Sequence, residues 1–200
     1  MYPLFESVCI ENSQIKNADY HEARFRRSYM RQYKTHPTYS LFDGILLTNL
    51  EHDLKYKLRI GYKQNGTRFS FSEYENNIPT SLQLLSDDTI SYPVKRNNRK
   101  KLNQLFKQRG NLHDVLIVKN GLITDASYSN ILFSDGRQIV TPSTPLLEGT
   151  CRARLLDENK VTEKRIAAAD LSNFESFQLI NALNDFDANR WVPVSNIQRE

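Results

Sequence analysis

The sequence predicts an α+β fold: two small α/β domains with mostly antiparallel sheets. Three observations carry this reading. Residues 56–63 alternate Leu58, Ile60 and Tyr62 with Lys57, Arg59 and Gly61, the period of a half-buried strand. The pairs Asn65–Gly66, Asn120–Gly121 and Asp135–Gly136 separate β-rich runs and mark hairpins. Short helical stretches lie between these runs, so hairpin sheets with helices packed on them are expected.

The elements follow in order. Leu4–Ile10 is β-rich and ends in the polar turn Glu11–Gln14. Asn17, Ala18 and Asp19 start a helix to about Tyr33, with Phe25, Tyr29 and Tyr33 four residues apart, and His36–Pro37 ends it. Leu41–Leu50 predicts a second short helix, weakened by Gly44. Tyr56–Lys63 and Arg68–Tyr74 make the first hairpin, and Ser81–Leu85 is another strand. Asp87–Asp88 opens a linker, which sets a smaller N-terminal α+β domain over 1–90 and a C-terminal α+β domain over 91–200. A basic helix over Asn98–Gln108 stops at Gly110. Val115–Val118 pairs with Leu122–Thr124, and Asn130–Phe133 with Gln138–Val140. Gly149–Thr150 opens a helix through Leu156. Lys160–Ile166, Phe177–Leu183 and Trp191–Ile197 read as strands, with a turn or short helix at Ala169–Phe174.

Composition bounds the function. The chain has 200 residues, 39% hydrophobic and 25% charged, which is enough for a real core and close to the globular average. Its longest apolar runs, such as Val115–Val118, fall far short of the roughly 20 residues of a membrane helix. Residues 1–10 do not read as a signal peptide. Two distant cysteines, Cys9 and Cys151, make no disulfide scaffold, so a cytoplasmic setting is expected. The net charge of +4 suits anionic small molecules and is a weak footprint for nucleic acid. Four scattered histidines give no metal-ligand spacing, and the sequence contains no GxGxxG, Walker, HExxH or GxSxG pattern.

Four features could carry chemistry, and each has a plainer reading. Lys95 ends an extended segment, where an amine can form an imine; it also fits an ordinary solvated lysine. Gly149–Thr150–Cys151–Arg152 places backbone N–H groups at a helix start, suited to phosphate or simply to a capped helix. Asp125 follows a strand and reads as a turn residue or as a carboxylate aimed at a ring nitrogen. Arg24, in His21–Glu22–Ala23–Arg24, could hold a phosphate or belong to a solvated basic face with Arg26, Arg27 and Arg31.

In this order the features resemble the class IV aminotransferases, pyridoxal-phosphate enzymes of fold type IV. Phe5–Glu6 is similar to the opening strand, His21 and Arg24 to its His-x-x-Arg, and Lys95, Asn98 and Arg99 to the Lys-x-x-Asn-Arg of the 4-amino-4-deoxychorismate lyase branch. Asp125–Asn130, Thr141–Pro142, Leu147–Arg152 and Asn181–Leu183 match the later motifs. The resemblance implies a D-amino-acid aminotransferase-like fold with the active site at the domain junction, a homodimer and a small-molecule amine substrate. It implies no nucleic-acid, membrane or metal partner. It makes Lys95 the catalytic Schiff-base lysine that shuttles protons, and Asp125 the partner of the ring nitrogen. Arg24, Gly149, Thr150 and Cys151, with Asn181 and Ala182, would form the phosphate cup. Arg59, Tyr62 and Arg99 are candidate substrate contacts. The family usually has Glu where this chain has Asp125, and the N-terminal half is lean. The best expectation is 4-amino-4-deoxychorismate lyase. The alternatives are an amino-acid aminotransferase of branched-chain or D-amino-acid type, and a degenerate cofactor-binding relative. A nucleic-acid binder through Lys95, Arg96, Arg99, Lys100 and Lys101, with Arg96, Arg99 and Lys100 sharing a helix face, is a weaker reading.

Overall fold

The structure is a computed structural model that describes residues 2–48 and 50–199. It falls into two compact units. Unit 1 is Met1–Asn76 with Val94–Asn98, and unit 2 is Asn77–Pro93 with Arg99–Glu200. The sequence boundary at residue 90 therefore differs from this division on both sides. Residues 77–93 go with unit 2 because the strand at 82–86 pairs there, and 94–98 go with unit 1.

Unit 1 holds β1 (Leu4–Glu11), β2 (Gln14–Ile15), α1 (Ala18–Tyr33), β3 (Tyr56–Lys63) and β4 (Gly66–Glu73). The antiparallel sheet runs β2-β1-β3-β4. Tyr56, Leu58, Ile60 and Tyr62 of β3 all turn inward, as their alternation predicts, and pack with Leu4, Val8, Ile10, Phe25 and Tyr29. Val94 joins this core. It draws the following residues alongside β1: the Phe5 N–H donates to the Lys95 carbonyl (3.1 Å), and the Asn97 N–H to that of Pro3 (3.0 Å).

The helix expected over Leu41–Leu50 does not form; the described residues of that stretch are turns and irregular chain. Gly44 sits at φ +73°, outside the helical region, and the Asp43 side chain takes the Ser40 N–H (2.8 Å). Leu41 and its apolar neighbours still pack on the unit 1 core.

Unit 2 holds β5 (Leu82–Ser86), α2 (Lys100–Lys107), β6 (Asp114–Lys119), β7 (Leu122–Ala126), β8 (Asn130–Ser134), β9 (Ile139–Pro142), α3 (Thr150–Asp157), β10 (Thr162–Lys164), β11 (Ser176–Ile180), β12 (Val192–Pro193) and β13 (Ile197–Gln198). One sheet runs β13-β5-β6-β7 and the other β10-β9-β8-β11-β12. Pairing is antiparallel except at β5–β6, β13–β5 and β9–β10. Strand β6 is buried on both faces: Val115 and Ile117 meet Leu102 and Leu105 of α2, while Leu116 and Val118 join Ile131, Phe133 and Phe177. Leu132 faces the opposite way, onto Cys151 and Leu155 of α3. The unit is thus layered helix, sheet, sheet, helix.

Two further expectations change here. The strand at Trp191–Ile197 is broken: β12 ends at Pro193, a 3₁₀ turn covers Val194–Asn196, and β13 joins the other sheet. Pro193 brings no N–H to extend the ladder. The basic helix starts at Lys100, because Arg96 is bridged to Leu4 in extended chain. Lys95 and Arg99 are therefore not one helical turn apart, and Arg96 shares no helix face with Arg99 and Lys100.

Candidate active site

Unit 1 contributes a closed, charged cluster. His21 and Arg24 are three residues apart on α1, so both reach the same face, where β1 presents Glu6. His21 Nδ1 lies 2.8 Å from Glu6 Oε2, and Arg24 Nε donates to Glu6 Oε1 at 2.9 Å. An Arg24 Nη2 bond to Oε2 completes a two-point fork. All three side chains are buried. Burial alone would raise the Glu6 pKa, but the Arg24 charge and the His21 and Arg24 hydrogen bonds outweigh it and hold it at about 2. Burial lowers the His21 pKa against the pull of Glu6, with Arg24 and Lys95 adding to the lowering, so the ring is neutral.

Lys95 is half-buried, with Nζ 5.0 Å from the centre of the Phe5 ring. The Arg59 guanidinium lies 3.8 Å over the Phe5 ring and donates to Asn97 Oδ1. Tyr62, expected as a substrate contact, is instead fully buried in the core with its ring edge-on to Phe25 (4.9 Å).

Unit 2 gathers a second cluster around the tight connection between β7 and β8. Asp125 is buried at the end of β7. Its Oδ2 accepts the Leu146 and Leu147 N–H groups (2.8 and 3.0 Å), and Oδ1 accepts Asn130 Nδ2 (2.7 Å). Burial pushes its pKa up to about 6, against these three donors and the Arg152 charge. Asn130 Nδ2 also donates to the Leu147 carbonyl (2.9 Å). Gly149 comes next, and a methyl group there would collide with Asn130 Oδ1. Gly149 is the N-cap of α3, and no side chain caps that end. The N–H groups of the first turn lie at the positive end of the helix dipole.

Thr150 and Cys151 open α3 and are both buried. The Cys151 thiol donates to Asp185 Oδ1 (3.1 Å), and burial, then the Asp185 charge, push its pKa up, so it stays protonated. Asn181 Nδ2 donates to Ser129 Oγ (3.0 Å), and Asn181 Oδ1 accepts the Leu183 and Asn184 N–H groups (2.8 and 2.9 Å). This fixes the Asn181–Ala182 turn against the connection that carries Asn130. Arg99 donates from Nη2 to the Ser127 carbonyl (2.7 Å) and lies over the Tyr128 ring (4.1 Å).

Asp125, Gly149, Thr150, Cys151, Asn181 and Ala182 all belong to unit 2, where Asn130 links Asp125 to Gly149, and Arg24 and Lys95 belong to unit 1. Sequence reasoning missed two members. Glu6 reads as part of a strand, yet an acid on the inward face of an apolar run is a signal for a buried partner. Asn130 reads as a strand start, and nothing local shows that its amide joins Asp125 to Leu147.

The defining pattern of amino-transferase class IV spans residues 3–197. The chain belongs to amino-transferase class IV. An uncharacterized protein of Haemophilus influenzae is 40% identical over 187 residues, covering 92% of this chain and 99% of the relative. A crystal structure from Haemophilus somnus, provisionally named a 4-amino-4-deoxychorismate lyase, is 32% identical, covers 93% of this chain and 98% of its own, and superposes with a TM-score of 0.88. An aminotransferase from Brucella abortus, solved with pyridoxal phosphate, shares the fold at 16% identity and a TM-score of 0.70, with 98% of this chain and 80% of its own covered. The expected family and fold class are borne out. This class IV chain has the length of its two nearer relatives, so its lean build is shared with them. Among the described residues no helix is long and apolar enough to cross a membrane, and no group of metal-ligating side chains gathers.

Proposed function

We propose that this class IV chain binds pyridoxal 5′-phosphate and acts as a 4-amino-4-deoxychorismate lyase, releasing pyruvate to give 4-aminobenzoate. The observation that carries the cofactor is Asp125: a buried carboxylate whose named donors are all neutral N–H groups. A carboxylate has about four acceptor positions, so one is left for a further donor. A protonated ring nitrogen is the donor that would bring the raised pKa back down.

The other groups fit as well. The uncapped start of α3 offers N–H groups to a phosphate. Arg24 donates twice to Glu6 in the fork, and it is the guanidinium that the family resemblance assigns to the phosphate. When bound, the cofactor supplies an electron sink for charge that develops on the substrate carbon. Lys95 Nζ would hold the cofactor aldehyde, and its free amine would take the proton from the substrate carbon. Neutral His21 keeps a second cation out of the Glu6 cluster. The overall change balances without a second substrate: one molecule of 4-amino-4-deoxychorismate gives one each of pyruvate and 4-aminobenzoate.

Support for the lyase over a transaminase is the spacing of Lys95, Asn98 and Arg99, together with the 32% identity to the provisionally named lyase. The second reading is an amino-acid aminotransferase, favoured by the Brucella abortus likeness in fold. The purified protein with added cofactor is assayed for 4-aminobenzoate release, beside amino transfer from L- and D-amino acids to 2-oxo acids. Aromatic product is expected; transfer without it replaces the lyase by the aminotransferase. Borohydride reduction and peptide mapping is expected to label Lys95, and a label elsewhere overturns the assignment. Reduction without any label leaves the degenerate relative as the reading.

A further inference from the structure

Arg99 differs from the two arginines of α3. Arg152 is paired with Glu163, and Arg154 with Glu158 and Asp185. Among the described residues Arg99 has no carboxylate at ion-pair distance; its bond is from Nη2 to the Ser127 carbonyl (2.7 Å). Its Nε is buried without an acceptor. Nevertheless the guanidinium is held in place. It lies 4.1 Å from the centre of the Tyr128 ring and 5.7 Å from that of Tyr92. Tyr128 is 56% exposed and is braced edge-on by Phe106 (5.8 Å).

Asp114 senses the Arg99 charge, which works against the rise that burial gives its pKa, but among the described residues the two make no ion pair. Asp114 Oδ1 accepts the N–H groups of Val115 (2.7 Å) and Ser127 (3.3 Å), which fixes the connection that Arg99 grips. That connection runs directly from Asp125 to Asn130. A guanidinium over an aromatic face, with one Nη2 hydrogen given to Ser127 and Nη1 without a bond among the described residues, can still present its outer edge to a carboxylate. Orienting it before binding removes much of the entropic cost of that contact.

We propose that Arg99, backed by Tyr128, binds a carboxylate of the substrate, so that the enzyme selects cyclic or aromatic amines carrying one. This deepens the lyase reading and rests on it for the identity of the substrate, but not for the carboxylate contact itself. The carboxylate is retained in the aromatic product, so the product probes the site.

The test uses cofactor-loaded protein titrated with 4-aminobenzoate and with aniline, which lacks the carboxylate. Wild type is expected to prefer 4-aminobenzoate by about tenfold or more. Arg99→Gln is expected to abolish that preference while aniline affinity and the cofactor absorption band stay in place. A wild type without the preference, or an Arg99→Gln protein that keeps it, overturns the inference. If Arg99→Gln does not fold, Arg99→Lys keeps the charge and loses the fork. It should cut the preference severalfold, and an unchanged preference overturns the inference. Preference lost in Arg99→Gln, with no 4-aminobenzoate formed by wild type from 4-amino-4-deoxychorismate, supports the carboxylate site and sinks the lyase reading.

Discussion

Glu6 in unit 1 and Asp125 in unit 2 are both buried carboxylates, and they are driven in opposite directions. Glu6 is held at about 2 and Asp125 is pushed up to about 6. Burial raises both, so burial does not decide the outcome. The difference is the partner: Glu6 faces the Arg24 fork, whereas Asp125 accepts three neutral N–H donors. One cluster is complete in itself. The other meets its carboxylate with neutral donors, and these with the Arg152 charge do not offset burial. A buried acid is therefore informative about function only once its counter-charge has been identified.

The largest expected effect comes from breaking the complete cluster. Arg24→Met leaves Glu6 buried beside a neutral histidine, and loss of one partner from a buried pair costs about 3–5 kcal/mol. Urea unfolding measures it. Glu6→Gln combined with Arg24→Met should recover most of the loss, because no buried charge then remains. A single variant that costs less than about 1 kcal/mol would show that the cluster is not held by its charges.

The next effect sharpens the contrast through pH. Glu6 has a folded pKa below its ordinary 4.5, so its stabilisation is present above pH 4.5 and is lost as pH falls through about 2. Asp125 has a folded pKa above its ordinary 3.8, so its penalty is absent below pH 3.8 and complete above about 6. Its size is about 3 kcal/mol, from 1.36 kcal/mol per pH unit. Cofactor-free wild type should lose stability between pH 4 and 6.5, and Asp125→Asn should remove that loss. Bound cofactor should remove it too, by giving the carboxylate a cation. Parallel wild-type and Asp125→Asn curves across this range would break the comparison.

Local rules made some of this legible and missed the rest. The Tyr56–Lys63 bounds of β3 were readable because alternation alone fixes the strand and its inward face. The span of α1 was readable because Asn17, Ala18 and Asp19 mark its start and His36–Pro37 bounds its end. Arg24, Asp125 and Gly149 stand at recognisable motif positions. What they touch did not show, because Glu6 meets His21 and Arg24 across 15 and 18 residues of sequence. That meeting needs β1 and α1 already packed. The helix misread at Leu41–Leu50 has the same lesson: apolar composition does not distinguish a helix from an irregular chain laid on a core. Arg99 was misplaced because the pairing of Leu4 with Arg96 delays the start of α2.

The smallest expected effect tests whether the Asp125 cluster acts as one unit. Gly149 has φ −72° and ψ 146°, which any residue can adopt, so its need for glycine is steric. Gly149→Ala puts a methyl onto Asn130 Oδ1 and forces that amide to turn. Turning it breaks the bonds from Nδ2 to Asp125 and to the Leu147 carbonyl. Two hydrogen bonds at about 1 kcal/mol each give a loss of about 2 kcal/mol. Asp125 also loses a donor that stabilised its charged form, so its pKa should climb further and the pH-dependent loss of stability should extend to higher pH. Asn130→Ala should do the same by a different route. The double variant should then cost no more than Asn130→Ala alone, because the clash has lost its target. Additive losses would mean that Gly149 matters for another reason, and that Asp125 is positioned independently of the helix start.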